Sequence, residues 1–508
     1  MKIELSQERE NFNKKRKVQI FYIAIFCLLI ICIPFFGTKF PPATDLPQHL
    51  AQIRLFIEHN SINPDVYSIQ WFGPNNLIYF FIGLGWAICG PKYLGVMILL
   101  FLAFTWLMSV FFIGYQLQRP IEGLILALPL FFNHAFYWGF LNFIIGFPVF
   151  LVWLYLTQKR NFEFFSLYQL GCIGLTFLLY EGHALWLLMG GIWIILLSLI
   201  HKFSIKQFLF WVSNFIPVGL LSLFWYPRFS LQRAQAGFDV FPHWYSSLFE
   251  RLSLKWVVNS AFGGIRGPFE YIFFLIIVIW IVFAFIQNRK GLKTKINVNL
   301  MAASILLLIF SFFAPDKYMN TIYFNTRWFP LGVILLLLAM PPLKFPFKIK
   351  VVTALIVLII FSFLTARIWH IYEKEELSGL EASLVKITPY SRVLGLDFVK
   401  ESKFIKNRPF LQIFAYAQVF KGAKINFSFA EHYSGIVVFR KKRKISWTPG
   451  LEWFPERVRK SDLKWFDYVL INAKNEIHAV FSNLNELEAL SQHGPWRIYK
   501  VNTNNMKN

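Results

Sequence analysis

A succession of apolar segments constrains this chain more than any other feature, because each is close to the ~20 residues that a helix needs to cross a bilayer. Only 15% of the 508 residues are charged, and 56% are hydrophobic, a composition that no soluble globular class shares. We therefore predict a polytopic α-helical membrane protein with about 11–13 transmembrane helices. The segments lie at residues 19–36, 93–115, 121–135, 139–157, 164–181, 184–201, 207–226, 269–287, 297–314, 327–341 and 350–369.

Short basic clusters separate these segments and set the expected orientation. Lysine and arginine accumulate in cytoplasmic loops beside anionic lipid, so the formal net charge of +24 indicates membrane lipids as partners and no nucleic acid. The sequence predicts a location in the inner (cytoplasmic) membrane, with an uncleaved first segment and a cytoplasmic tail at 1–17. The clusters lie at residues 14–17, 158–160, 201–206, 288–295 and 344–350.

The apolar stretch at 76–89 is short for a span, at about fourteen residues. With every basic cluster inside, an odd number of crossings must fit between residues 60 and 120, where two candidates occur. We interpret 76–89 as re-entrant or juxtamembrane, which leaves about eleven crossings. The transmembrane part then covers 18–370, with outer loops at 37–75 and 227–268.

From residue 371 the composition changes, and short strand-like runs alternate with helix-like ones. The runs VLGLD at 393–397 and YVLIN at 468–472 suit buried strands, and 496–501 suits a last strand. Residues 481–493 are amphipathic with Gly494 just beyond, which predicts a helix with a C-terminal stop. We predict a C-terminal extracytoplasmic α/β domain over 371–508.

The first outer loop opens with an acidic and an imidazole group four residues apart, Asp45 and His49. Apolar residues at helical spacing follow from Leu46 to Ile57, which predicts an amphipathic helix on the outer membrane face with both groups at its start. Asp45 is a candidate catalytic carboxylate. The alternative is that Asp45 only caps the helix, in a capping box with Gln48, and that His49 is an interfacial histidine.

Polar residues elsewhere collect at the predicted outer ends of the segments, while the middles of the segments hold almost no charge. Ionisable groups at membrane depth usually mark function. Capping explains Glu181 and His183 equally well, and Arg327 either snorkels to the interface or binds a lipid phosphate. The residues concerned are Asp65, Asn133, His134, Tyr180, Glu181, His183, Asp239, His243, Asp316, Asn325 and Arg327.

The predicted outer loop at 227–268 is basic, against the usual bias of outer loops. A polyanionic ligand such as a pyrophosphate would explain this exception. We name Arg233 and Arg266 from this loop as candidate substrate-binding residues, together with Asp65, Glu181, His183 and Arg327. The five cations are Arg228, Arg233, Arg251, Lys255 and Arg266.

This architecture resembles the glycosyltransferase C superfamily, integral membrane enzymes that take a sugar from a polyprenyl-phosphate carrier. The resemblance covers the whole arrangement, while the residue match is confined to Asp45 in DLPQHL and the basic outer loop. It implies that Asp45 is the catalytic or acceptor-orienting carboxylate. Many members carry two adjacent acids there, whereas Leu46 follows here, and a single carboxylate binds a hard divalent metal poorly without help from Asp65 or His49.

We therefore expect an enzyme that transfers a sugar from a polyprenyl-phosphate carrier to a hydroxyl of a lipid, glycan or protein acceptor on the outer face. Asp45 is then the base, His49 orients it or binds the acceptor, and Arg327 with the basic loop neutralises the carrier phosphate. The main alternative is a lipid or polysaccharide transporter, which would place polar groups or repeats near the bilayer midplane. An O-antigen ligase or polymerase and a non-catalytic scaffold are further alternatives.

Overall fold

The computed structural model describes residues 2–62, 65–158, 162–235, 237, 239–431, 435–441, 443–491 and 493–502. Helices dominate it up to residue 376. They are α1 (Lys2–Ile31), α2 (Ile33–Phe36), α3 (Leu46–Ile62), α4 (Leu77–Gln116), α5 (Ile121–Ala127), α6 (His134–Trp138), α7 (Leu141–Leu156), α8 (Leu167–Gly182), α9 (Ala184–His201), α10 (Ile205–Gln235), α11 (Leu248–Leu252), α12 (Leu254–Ala261), α13 (Phe269–Asn288), α14 (Leu292–Lys295), α15 (Val298–Phe313), α16 (Phe329–Ala339) and α17 (Phe347–Glu376).

Strands occur mainly beyond residue 390. In chain order they are β1 (Tyr67–Ile69), β2 (Lys317–Tyr318), β3 (Thr321–Ile322), β4 (Arg392–Asp397), β5 (Lys424–Ile425), β6 (Val437–Phe439), β7 (Tyr468–Asn472), β8 (Leu487–Ala489) and β9 (Trp496–Val501). The helices that accompany them are α18 (Leu380–Lys386), α19 (Tyr416–Lys421), α20 (Lys460–Leu463) and α21 (Asn475–Ser482).

Seven of the described helical segments are long and apolar enough to cross a membrane, so the chain is a helical, multi-pass membrane protein. Shorter apolar helices of 10–17 residues lie at Leu141–Leu156, Val298–Phe313 and Thr326–Ala339. The larger count of 11–13 spans stays a prediction. Helix α1 begins at Lys2 and continues into the first apolar segment, and the cytoplasmic location of residues 1–17 stays a prediction.

The stretch at 76–89 is the first part of the 40-residue helix α4, which changes direction at Gly90 and Pro91. Gly90 has φ +65°, a conformation that favours glycine, and Pro91 cannot supply an amide hydrogen to the helix. A straight helix of this length would measure about 60 Å, twice the hydrocarbon thickness of ~30 Å. The break leaves residues 91–116 long enough to cross and residues 77–89 too short, and the interpretation of 77–89 as re-entrant or juxtamembrane stays a prediction.

Three of the predicted basic clusters, at 201–206, 288–295 and 344–350, lie at one end of the helix bundle. Lys344 N–H donates to Gln287 Oε1 at 2.7 Å, and Asn288 Nδ2 donates to the Pro342 carbonyl at 3.0 Å. His201 contacts Asn299 at 2.8 Å across the same end. Of the cluster at 158–160, residues 159–160 lie outside the described part of the chain.

The C-terminal region packs on the opposite end, over the loop that follows α2. Its five strands form one mixed sheet in the order β5-β4-β7-β9-β8, with β4 parallel to β5 and β7, and β9 antiparallel to β7 and β8. Strand β6 pairs instead with β1 of the early loop, Tyr67 lying opposite Phe439. The early loop and the region from 371 therefore lie on the same side of the helices.

The prediction for 46–57 was right about a helix and wrong about its surroundings. Leu46, Leu50 and Ile53 are buried, but so are Gln48 and Gln52 on the face predicted to be polar and exposed. Gln48 Nε2 donates to Gln412 Oε1 at 2.8 Å, and Gln52 Oε1 accepts from Val437 N–H at 2.8 Å. The C-terminal region covers α3 and satisfies these amides, so α3 does not lie on a membrane surface.

Three of the predicted C-terminal strands are present as β4, β7 and β9, but the helix predicted at 481–493 is wrong. Helix α21 ends at Ser482, and residues Leu487–Ala489 form β8. Leu487 pairs with Val501, so β8 joins the sheet as its edge strand beside β9, and this pairing overrides the local helical periodicity.

Candidate functional site

Asp45 lies at the start of α3, against the turn that ends α6. Its N–H donates to the Trp138 carbonyl at 3.0 Å, and Thr44 N–H donates to the Tyr137 carbonyl at 3.0 Å. Gly139 closes α6 with φ +76°. A Cβ at Gly139 would lie 2.6 Å from the Asp45 nitrogen, so only glycine permits this approach.

The Asp45 carboxylate has no hydrogen-bond or ion-pair partner among the described residues, although the side chain is half-buried. The predicted capping box is absent, because the Gln48 amide is bonded to the C-terminal region. Burial raises the pKa of Asp45 to about 8, and the nearby positive charge of Arg327 opposes this shift. Asp45 is therefore a carboxyl group available to a ligand.

Arg327 reaches the same neighbourhood from the turn before α16. Its side chain is buried, its Nη2 donates to the Ile322 carbonyl at 2.8 Å, and its Nε donates to the Tyr323 carbonyl at 3.2 Å. The guanidinium carbon lies 3.7 Å from the centre of the Phe140 ring. Arg327 and Asp45 interact electrostatically, but within the described ranges they form no ion pair closer than 4 Å. These hydrogen bonds hold the guanidinium in place, and its Nη1 has no hydrogen-bond partner among the described residues.

His49, one turn after Asp45, is fully enclosed. Its Nδ1 lies 3.0 Å from the Tyr79 hydroxyl, and the ring also bonds to the Gly139 backbone. Burial lowers the pKa of His49 to about 4, so the imidazole is neutral at physiological pH. With both contacts satisfied by protein, His49 holds α3 against α4 and Gly139, behind Asp45.

Glu181 and His183 lie at the break between α8 and α9. His183 Nδ1 accepts from Leu185 N–H at 3.1 Å and caps α9, as the capping alternative predicted. Glu181 accepts a hydrogen bond from the Asn76 backbone. His183 also lies within electrostatic reach of Arg327, and its ring is 5.8 Å from that of Phe143. His183 therefore borders the Arg327 neighbourhood, whereas Glu181 binds the loop before α4.

The two arginines of the 227–268 segment named as candidates bond to other parts of the protein. The predicted loop is partly helical, because α10 continues to Gln235 and α11 and α12 follow. Arg233 lies on α10 and donates to the Met319 carbonyl. Arg266 Nε donates to the Ser402 carbonyl at 2.7 Å, and its Nη2 contacts Glu401 at 3.2 Å. Both arginines have protein partners in other regions, and the polyanion site expected in this segment stays a prediction.

Asp65 is likewise separate from the Asp45 neighbourhood. It is exposed and lines a cavity of about 370 Å³ beside Tyr67 and Phe439 of the β1–β6 pair. Lys424 and Arg443 line the same cavity. Asp65 therefore offers no help to Asp45 in binding a cation.

The C-terminal region brings Arg408 to the turn that carries Asp45. The sequence did not single out this residue. The Arg408 carbonyl accepts from Thr44 Oγ1 at 3.4 Å, and its guanidinium lies 5.4 Å from the Trp453 ring centre. Its Nε and Nη2 are buried without a hydrogen-bond partner in the described chain. Its charge acts on Tyr323, whose carbonyl binds Arg327. No local signal in the sequence distinguishes Arg408 from other cations of the region.

The donor set at Asp45 does not fit a resident divalent metal. Across the described ranges, no group of three or more histidine, cysteine, aspartate or glutamate side chains could hold a metal ion. His49 points its Nδ1 at Tyr79, and Asp65 lies elsewhere. Neither His49 nor Asp65 therefore joins Asp45 as a ligand for a divalent metal.

Comparisons with known proteins found no matching family model, no similar curated protein and no similar solved structure.

Proposed function

We propose that this protein is a membrane glycosyltransferase that moves a sugar from a polyprenyl-phosphate carrier to an acceptor hydroxyl. The observation that carries the proposal is the Asp45 carboxylate, half-buried without a protein partner and within the electrostatic field of the buried Arg327. Buried carboxylates are normally paired, so an unpaired one with a raised pKa beside a fixed cation is a candidate for chemistry.

In the proposed reaction, Asp45 accepts the proton of the acceptor hydroxyl. The hydroxyl oxygen then bonds to the anomeric carbon of the sugar, and the bond from that carbon to the carrier phosphate breaks. Arg327, with Nη1 available, stabilises the departing phosphate. His49 is a positioning residue, because it contacts Gly139 and Tyr79 and supports the turn that carries Asp45.

We also propose how the protein is oriented in the membrane. The early loop and the C-terminal region share one end of the bundle, and three of the basic clusters share the other. Following the positive-inside rule, we propose that the Asp45 end is extracytoplasmic and that the membrane is the inner membrane. An alkaline-phosphatase fusion after residue 375 is expected to be active, and activity only as a cytoplasmic reporter would contradict this orientation.

The direct test uses the full-length protein in lipid nanodiscs with a panel of polyprenyl-phosphate sugars, measuring release of the polyprenyl phosphate. Asp45→Asn keeps the shape of the side chain and removes proton acceptance, so we expect a loss of ~10²-fold or more in rate. Asp467→Asn is the matched control, since Asp467 pairs with Arg392 at 2.7 Å on the sheet of the C-terminal region. Equal rates for Asp45→Asn and the unmodified protein would remove Asp45 from catalysis.

A further inference from the structure

A cavity of about 780 Å³ lies apart from the Asp45 turn, where two apolar helices end and a third breaks against the C-terminal region. Its walls come from the end of α2, from the break in α4 and from the last turns of α17. Helices α18 and α19 close the remaining side. All three apolar helices belong to candidate membrane spans, and we infer that the cavity lies at the level where the membrane meets water.

One wall of this cavity is apolar and open to the surroundings. Phe36 is 76% exposed, Tyr93 is 59% exposed and Val385 of α18 is 65% exposed. Such side chains would be unfavourable in water, and at the end of a membrane span the apolar material beside them is lipid. The wall therefore suits hydrocarbon chains that extend from the membrane.

The rim of the cavity carries an excess of positive charge. Lys39 is neutralised by Glu381 at 2.6 Å, and its N–H is bonded to Glu373 at 2.7 Å. Lys92, Lys374 and Lys421 line the same cavity, and none of them pairs with a carboxylate of the described residues within 4 Å. These three lysines come from different helices, so together they form a concave cationic site rather than one charged helix face.

We propose that this cavity binds an anionic phospholipid. Its phosphate contacts Lys92 at the break of α4 and Lys374 at the end of α17, and its chains lie along Phe36 and Tyr93. A free anion would use the lysines but not the apolar wall, whereas a zwitterionic lipid would use the wall but leave the charge excess unmatched. The bound headgroup would join α4, α17 and the C-terminal region, and this role is independent of the proposed transfer reaction.

The test measures lipid binding to the detergent-purified full-length protein by native mass spectrometry, with phosphatidylglycerol and phosphatidylcholine as probes. Phosphatidylglycerol is expected to bind more tightly. The double variant Lys92→Gln with Lys374→Gln is expected to bind phosphatidylglycerol about 30-fold more weakly, as removal of two lysines near an anionic headgroup implies. Lys92→Arg with Lys374→Arg keeps both charges and should restore binding, which separates the loss from misfolding.

Two controls sharpen the result. Lys460→Gln with Lys464→Gln removes the same net charge from α20 and the residue that follows it, outside the cavity, and should leave lipid binding unchanged. Glu381→Gln releases Lys39 and should strengthen phosphatidylglycerol binding. Equal binding of the two lipids, an equal loss in the α20 variant, or displacement by inorganic phosphate would overturn the proposal, the last by assigning the cations to a free anion.

Discussion

Two carboxylates beside the C-terminal region have opposite surroundings. Glu270, at the start of α13, accepts from the Gly264 and Ile265 amides at 2.7 and 2.5 Å, and Lys406 Nζ lies 2.7 Å from its Oε2. Asp45 accepts no hydrogen bond from the described chain, and its nearest named charge, Arg327, is beyond ion-pair distance. Protein groups satisfy the Glu270 carboxylate, which ties α13 to the C-terminal region. The Asp45 carboxylate is left free for a ligand.

The largest expected effect is at Glu270 and its partner Lys406. Glu270→Ala leaves Lys406 without its carboxylate and orphans two buried amides, so we expect a loss of about 3–5 kcal/mol of stability. Glu270→Gln keeps an acceptor for the amides and should cost less. The measurement is the apparent Tm of the purified protein, together with hydrogen exchange at residues 402–408.

Asp45→Asn is the matched control for that experiment. It removes a carboxyl group that has no protein partner, so the apparent Tm should not fall. An unchanged Tm for Glu270→Ala, or a collapse of Asp45→Asn, would reverse the roles assigned to the two carboxylates.

The second prediction concerns pH. With a pKa of about 8, Asp45 is about 1% ionised at pH 6 and half ionised at pH 8, so a rate that requires the base rises about 50-fold over this window. His49, with a pKa of about 4, stays neutral throughout and adds no slope. The measurement is kcat/KM against pH in nanodiscs, and a flat profile between pH 6 and 8 would exclude Asp45 as the base.

The raised pKa of Asp45 also determines whether the stability of the fold rises or falls with pH. The folded Asp45 keeps its proton between its ordinary pKa near 4 and its raised pKa of about 8, while the unfolded chain releases it. Asp45 therefore destabilises the fold increasingly as pH rises through this window, and Asp45→Asn does not. The Tm advantage of Asp45→Asn over the unmodified protein should grow from pH 5 to pH 8.

The sequence predicted which segments are apolar and buried better than it predicted which side chains contact one another. Apolar length was enough to predict a helical membrane protein, and buried strands such as 468–472 were recognisable because both faces are apolar. Arg233, Arg266 and Arg327 share a predicted depth, but the direction in which each side chain points around the bundle depends on helix packing. The role of Arg408 depends on how the C-terminal region docks, which no local pattern encodes.

The smallest expected effect concerns Arg266, which the sequence grouped with Arg327 as a candidate substrate-binding residue. Arg266 contacts Glu401 at 3.2 Å, the two side chains are 41% and 72% exposed, and the Arg266 N–H still bonds to the Phe404 carbonyl after a side-chain change. Arg266→Gln loses this exposed ion pair and the Nε bond to the Ser402 carbonyl, so it should cost about 1–2 kcal/mol of stability and leave the KM for the lipid-linked sugar unchanged. Arg327→Gln, by contrast, removes the buried cation beside Asp45 and should raise that KM about tenfold or more, as loss of a charged hydrogen bond implies. Equal changes in KM for the two variants would place Arg266 in the substrate site. They would also show that Asp45 and Arg327 do not define that site by themselves.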